Sequence, residues 1–139
     1  MIKSHRAIVV VVDFSYSVKT SKDINQIILD ITENLKQIGF GVLGILDFKD
    51  IFEKKGIEFK KNYKLMEVCN PNAAKSILET DLALGLLLPC TIAVYQESSQ
   101  NIVSLARPTS LLSIIPNDDL QKLGKEIEES LIKVIEKSK

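Results

Sequence analysis

A chain of 139 residues with 18 basic and 18 acidic side chains carries no net charge, and 45% of it is hydrophobic. This is the size and composition of a single globular domain, with enough apolar surface to offset chain entropy, so global disorder is excluded. A neutral chain exerts no general electrostatic pull on DNA, RNA or an anionic membrane, and neither nucleic acid nor membrane is expected as a partner.

The first apolar run, residues 7–12, is rich in β-branched side chains and reads as a buried strand. Asp13 ends it too soon for a membrane span, and no signal-peptide cleavage pattern follows. Residues 82–88 are also apolar, but Gly85 breaks them and Pro89 closes them. A soluble, cytoplasmic protein is the expectation.

Thr20 is predicted to open the first helix, with Asp23 at capping-box spacing. Ile24, Ile27, Ile28, Ile31, Leu35 and Ile38 then share one face at spacings of three and four. Gly39 suits the left-handed position after the last turn, and Phe40 can fold back onto Leu35. Residues 40–46 read as a second strand, thinned by Gly41 and Gly44. Asp47 caps a short helix that Gly56 ends, with Phe48, Ile51 and Phe52 facing inward. A charged loop, 57–62, leads to a third strand at 63–68.

Asn70 is a good N-cap and Pro71 fits the first helical position, so a helix is predicted over 71–80. Pro89 opens a fourth strand running to residue 95, and a turn at 97–100 folds it against a fifth at 101–106. Pro108 starts a short helical turn. Asn117 caps the last helix, lined by Leu120, Leu123, Ile127, Leu131, Val134 and Ile135, with Asp118 and Asp119 at the positive end of its dipole. The order implies an α+β domain: about five strands in a mostly antiparallel sheet, packed by three main helices. No repeat, low-complexity tract or linker divides residues 1–139, which read as one domain.

The pieces Leu65-Met-Glu-Val-Cys-Asn-Pro71, Asp81 and Gly85-Leu-Leu-Leu-Pro-Cys90 carry the most specific signal. At this separation, Cys-Asn-Pro and Leu-Leu-Pro-Cys together resemble a bacterial and archaeal family of unknown function, numbered 302 among such families. The resemblance runs from about Phe14, through Ile38-Gly-Phe-Gly-Val42, to the last helix. Thr91 stands where that family often has Asn or Arg. The resemblance implies a compact α+β domain that pairs as a homodimer, and it implies no settled activity.

The cysteines are then read from their setting. Cys69 falls at a strand end just before the Asn70 cap, where free N–H groups and a helix dipole favour a thiolate. If their strands are neighbours, Cys69 and Cys90 meet near one sheet end, and a bridge there contributes about 3 kcal/mol in the chain-entropy model. Three readings stand: two buried apolar fillers, a redox or ligand-contacting pair, or metal ligands. Metal is disfavoured, because two thiolates and one histidine, His5, do not complete a closed site.

Glu67 lies two residues from Cys69 on the same strand face; it is either a general base or the solvated face of an edge strand. Lys54, Lys55, Lys60, Lys61 and Lys64, interleaved with Phe59 and Tyr63, could touch single-stranded nucleic acid, although Glu53 and Glu58 dilute them into an ordinary solvated loop. Arg107 could bind an anion, cap a carbonyl or pair with a glutamate. No dinucleotide, P-loop, nucleophile-elbow or metalloprotease motif is present, and no cofactor is expected.

The leading reading is a non-enzymatic homodimeric domain that binds a small ligand or partner near Glu67, Cys69, Asn70, Pro71, Pro89 and Cys90. The alternative is a thiol-based redox or sulfur-handling accessory using Cys69 and Cys90. An enzyme with carboxylate or lysine chemistry ranks last, for want of a recognisable acid–base set.

Overall fold

The computed structural model describes residues 13–139; the strand expected at 7–12, with His5 and Arg6, lies outside the described residues. In chain order the elements are β1 (Ser15–Thr20), α1 (Ile24–Lys36), β2 (Gly41–Asp47), α2 (Phe48–Lys54), β3 (Tyr63–Cys69) and α3 (Pro71–Thr80). A 3-10 helix (Leu82–Leu87) precedes β4 (Cys90–Glu97), β5 (Gln100–Ala106), α4 (Pro108–Leu112) and α5 (Asp118–Ser138). The five strands form one sheet in the order β1-β5-β4-β3-β2, every neighbouring pair antiparallel. The α+β expectation holds, with α1, α3 and α5 as the main helices.

The helix at Thr20 is corrected. Thr20 is the last residue of β1, paired with Asn101, and its Oγ1 accepts the Lys22 N–H at 3.1 Å. The helix begins at Ile24, and Asp23 occupies its N-cap position without capping it. At the other end the reading holds: Gly39 adopts φ +81°, and the Phe40 N–H reaches back to the Leu35 carbonyl at 3.0 Å.

One sheet face carries Met66, Val68, Ile92, Val94, Val103 and Leu105, all fully buried. Against it lie Ile24, Ile27, Ile31 and Leu35 of α1 and Ile127, Leu131, Val134 and Ile135 of α5. These helical positions recur at three and four, so each helix turns one apolar stripe inward. Each such side chain contributes on the order of 1.5–3 kcal/mol by leaving water. Lys22 ties the middle of α1 to the end of α5, donating to Asp30 at 2.8 Å and to the Ser138 carbonyl at 2.7 Å. A second, smaller cluster of Ile77, Leu84 and Leu120 joins α3 and the 3-10 helix to α5.

Among the described residues, no long helix covers the other face. By strand alternation it carries Leu65 and Glu67 of β3, Thr91 and Ala93 of β4, and Ser104 of β5. Helix α2 sits at one end of it, and no residue of α2 is buried. The inward packing expected for Phe48, Ile51 and Phe52 is therefore corrected: Ile51 is exposed, and the Phe48 ring rests on Phe52 and on Tyr63, both at 5.7 Å.

The β4–β5 hairpin turns through Ser98, whose φ of 56° lies in the left-handed region that favours glycine. Ser98→Gly is expected to raise the unfolding free energy by a few tenths to about 1 kcal/mol, because relief of backbone strain exceeds the added chain entropy. Urea unfolding with an unchanged slope measures this; a lower midpoint would contradict the strain argument.

Candidate functional site

Antiparallel register decides how the cysteines meet. Val68 on β3 pairs with Cys90 on β4, so Cys69 lies one residue past Cys90's partner, on the alternate side of the pleat. Cys90 points to the helix-covered face and packs against the main core. Both thiols are free, and both border one apolar crevice with Phe40, Ala73, Ile77 and Pro89. That crevice measures about 10 Å³, at the threshold for a single water molecule. A second, of about 20 Å³, shares Ile77, Leu88, Cys90 and Ile127 with the first and extends to Pro108 and Leu111.

Asn70 does what its sequence predicts, accepting the N–H groups of Asn72 at 3.0 Å and Ala73 at 3.2 Å, while Pro71 takes the first helical position. This cap occupies the donors that would have stabilised a thiolate at Cys69. Burial wins instead, pushing the Cys69 thiol above its ordinary value. Cys90 is pushed up to about 11, first by burial and then by charge on the neighbouring Cys69. The expected thiolate at Cys69 is thus corrected to a protonated thiol.

The other candidates separate. Glu67 is half-buried on the open face opposite Thr91, and β3 lies between β2 and β4, so it is not on an edge strand as expected. Pro89 follows Leu88 through a cis peptide bond, immediately precedes β4, and stands beside the corner formed by Cys69, Asn70 and Cys90. Arg107 pairs with a glutamate: its Nε donates to Glu128 at 3.1 Å, and Nη1 donates to the Asp13 carbonyl at 3.0 Å. Burial pushes the Glu128 carboxyl up, but hydrogen bonds from the Thr109 hydroxyl and backbone and from Arg107 outweigh it and hold it below the usual range. Among the described residues, no group of three or more His, Cys, Asp or Glu is placed to hold a metal ion. No described helix is long and apolar enough to cross a membrane.

In the lysine-rich stretch, Lys54 pairs with Asp50 at 3.0 Å and Lys60 with Glu58 at 3.3 Å, all well exposed. Its aromatic residues are already in use: Phe59 packs on Phe52, and Tyr63 stacks on Tyr95, both at 5.2 Å. Five of the chain's eight aromatic rings join in this surface row, around a shallow apolar hollow of about 360 Å³. Sequence reading sent three of these rings to the core or to a solvated loop. Phe48, Phe52 and Phe59 show no link to Tyr95 until β3 and β4 are paired.

The thiol states carry a measurable consequence. Under iodoacetamide, Cys69 is expected to react before Cys90, and the Cys90 rate should keep rising with pH toward about 11 rather than levelling at the ordinary 9.0. A folded-state pKa above the unfolded one means that stability is intact below the unfolded value and lost as pH climbs through the folded one. The stability difference between the native chain and Cys90→Ala should therefore hold steady below pH 9.0 and shrink between there and about 11. A labelling plateau at the ordinary value would refute the protonated-thiol assignment.

Comparison with known proteins agrees with this geometry. The family described as a domain of unknown function, DUF302, matches residues 16–138. The crystal structure of an uncharacterized conserved DUF302 protein from Bacillus stearothermophilus superposes with a TM-score of 0.87 at 32% identity, covering 92% of this chain and 100% of that one. No curated protein matches. With all of the described sheet except Ser15, and all the main helices, inside the match, the chain belongs to the DUF302 family.

Proposed function

We propose that the chain is a non-enzymatic binding domain that works as a homodimer and takes a small apolar ligand, or an apolar side chain of a partner, at the corner of Cys69, Asn70, Pro71, Pro89 and Cys90. The observation that carries this reading is the chemistry of the corner. Two uncharged thiols and apolar side chains line one narrow crevice, and Cys90 also lines the second that adjoins it. Protonated thiols act there as small, polarizable apolar groups rather than as nucleophiles. An occupant larger than one water would have to part α3 from Leu88 and Pro89. Glu67 faces the open side of the sheet and would border this site without entering it.

Support for pairing comes from the other margin of the sheet. Leu43, Ile45 and Leu46 on edge strand β2 are exposed, as are Ile51 on α2 and Ile57 after it. A run of large aliphatic side chains on an edge strand is normally covered or broken by charge. The thiol-redox alternative needs a low-pKa cysteine, and burial moves both thiols the other way.

Two measurements test the two halves separately. Sedimentation equilibrium is expected to give a dimer for the native chain and a folded monomer for Ile45→Lys with Leu46→Lys; a native chain that stays monomeric at high micromolar concentration would remove the homodimer. Benzene is expected to shift the backbone amide resonances of Cys69, Ala73 and Cys90 saturably and to slow Cys90 alkylation. Unshifted corner resonances would remove the ligand site, whatever the oligomeric state.

A further inference from the structure

The end of the sheet farthest from the cysteines holds a cleft of a different character. Its volume is about 280 Å³, and it is lined by Asp23, Ile24 and Asn25 at the start of α1, by Asp47 and Asn62, and by Lys64, Gln96 and Asn101 on the strands. Seven of these eight residues are polar, and they come from separate parts of the chain brought together by the sheet.

Part of this polar set is held in place. Lys64 Nζ donates to Asn25 Oδ1 at 3.2 Å, and Asn101 Nδ2 donates to the Lys22 carbonyl at 2.8 Å. Asp47 Oδ1 accepts the Asp50 N–H at 3.1 Å. The rest is uncommitted. Asp23 sits at the N-cap of α1 and does not cap it. Gln96 and Asn62 meet only through their backbones, N–H to carbonyl at 3.1 Å, and among the described residues their side-chain amides make no bond.

The charges discriminate between ligand classes. An anion entering the cleft meets Asp23 and Asp47, and a dication meets Lys64. A flat apolar molecule would desolvate amides and carboxylates without replacing their hydrogen bonds. Hydroxyl groups both donate and accept, and so can serve the carboxylates, the amides and the ammonium at once. Ile24, 8% exposed, supplies a small apolar floor for the C–H side of such a molecule. At about 30 Å³ per water, the cleft has the liquid volume of roughly nine waters, a size suited to one small ring with its hydroxyls. We propose that this cleft binds a neutral polyhydroxylated molecule of monosaccharide size, with Asp23, Asn62, Gln96 and Asn101 supplying the hydrogen bonds. The site is independent of the cysteine corner and of dimer formation.

The test is a titration of the full isotope-labelled chain with D-glucose and with myo-inositol, followed by backbone and side-chain amide resonances. Saturable shifts confined to Asn25, Asn62, Lys64, Gln96 and Asn101 are expected at millimolar ligand. Asp23→Ala combined with Gln96→Ala should weaken them by about tenfold or more, since each removes a hydrogen bond to the ligand. Both residues are exposed and neither side chain bonds within the described fold, so the double variant should remain folded; its otherwise unchanged spectrum checks this. Absence of saturation with both polyols, equal affinity in the double variant, or the same shifts from calcium chloride or inorganic phosphate alone would overturn the proposal.

Discussion

Two long amphipathic helices cover one face of a five-stranded sheet, and the rest of the molecule is arranged around that limit. Strands about 4.8 Å apart make a sheet roughly 20 Å wide, which two helices of about 10 Å diameter cover side by side. Helices α1 and α5 do this, and Lys22 fastens the middle of α1 to the end of α5. Among the described residues, no third long helix covers the opposite face. That face is finished instead with small or mixed side chains such as Ser104, Thr91 and Glu67, and with the aromatic row beneath α2. Exposed Leu43, Ile45 and Leu46 at the β2 edge follow from the same shortage of cover.

The two ends of the sheet differ because different segments close them. At the Cys69 and Cys90 end, α3 and the 3-10 helix bring Ile77, Leu87 and Leu88 down on the strand termini and seal them with apolar surface. Charge is costly there, and the thiols stay protonated. At the other end the chain enters α1 and α2 through Asp23 and Asp47, and the cleft between them is lined by polar side chains apart from Ile24. The sheet is closed by apolar side chains at one end and by polar ones at the other, and the crevices at the two ends share no lining residue.

Much of this was legible in the sequence, and for identifiable reasons. The stripes of α1 and α5, the Asn70-Pro71 entry to α3, the Gly39 stop and the β4–β5 hairpin are encoded by neighbours within a few residues, where periodicity and capping act directly. Features that depend on register were not legible. Nothing local says that Cys90 faces Val68 rather than Cys69, or that Tyr63 will stack on Tyr95. The burial that protonates Cys69 is equally non-local, whereas the helix dipole that would ionise it is written beside it. Reading the dipole alone gave the wrong sign.

The start of α1 shows the same competition most clearly. Thr20 and Asp23 stand three apart before an apolar helix, a spacing that serves equally for a capping box and for a strand end followed by a turn. The choice is made eighty residues downstream in the chain's own sheet: β5 pairs Asn101 with Thr20, and the Asn101 amide holds the Lys22 carbonyl at 2.8 Å. With Thr20 drawn into the ladder, its hydroxyl turns to the Lys22 N–H, and the helix starts without a side-chain cap. The Asp23 carboxylate is then left facing the cleft with Gln96 and Asn62. Long-range pairing overrides a local signal at this point, and the polar group that loses its local partner is the one that gives the cleft its free acceptor.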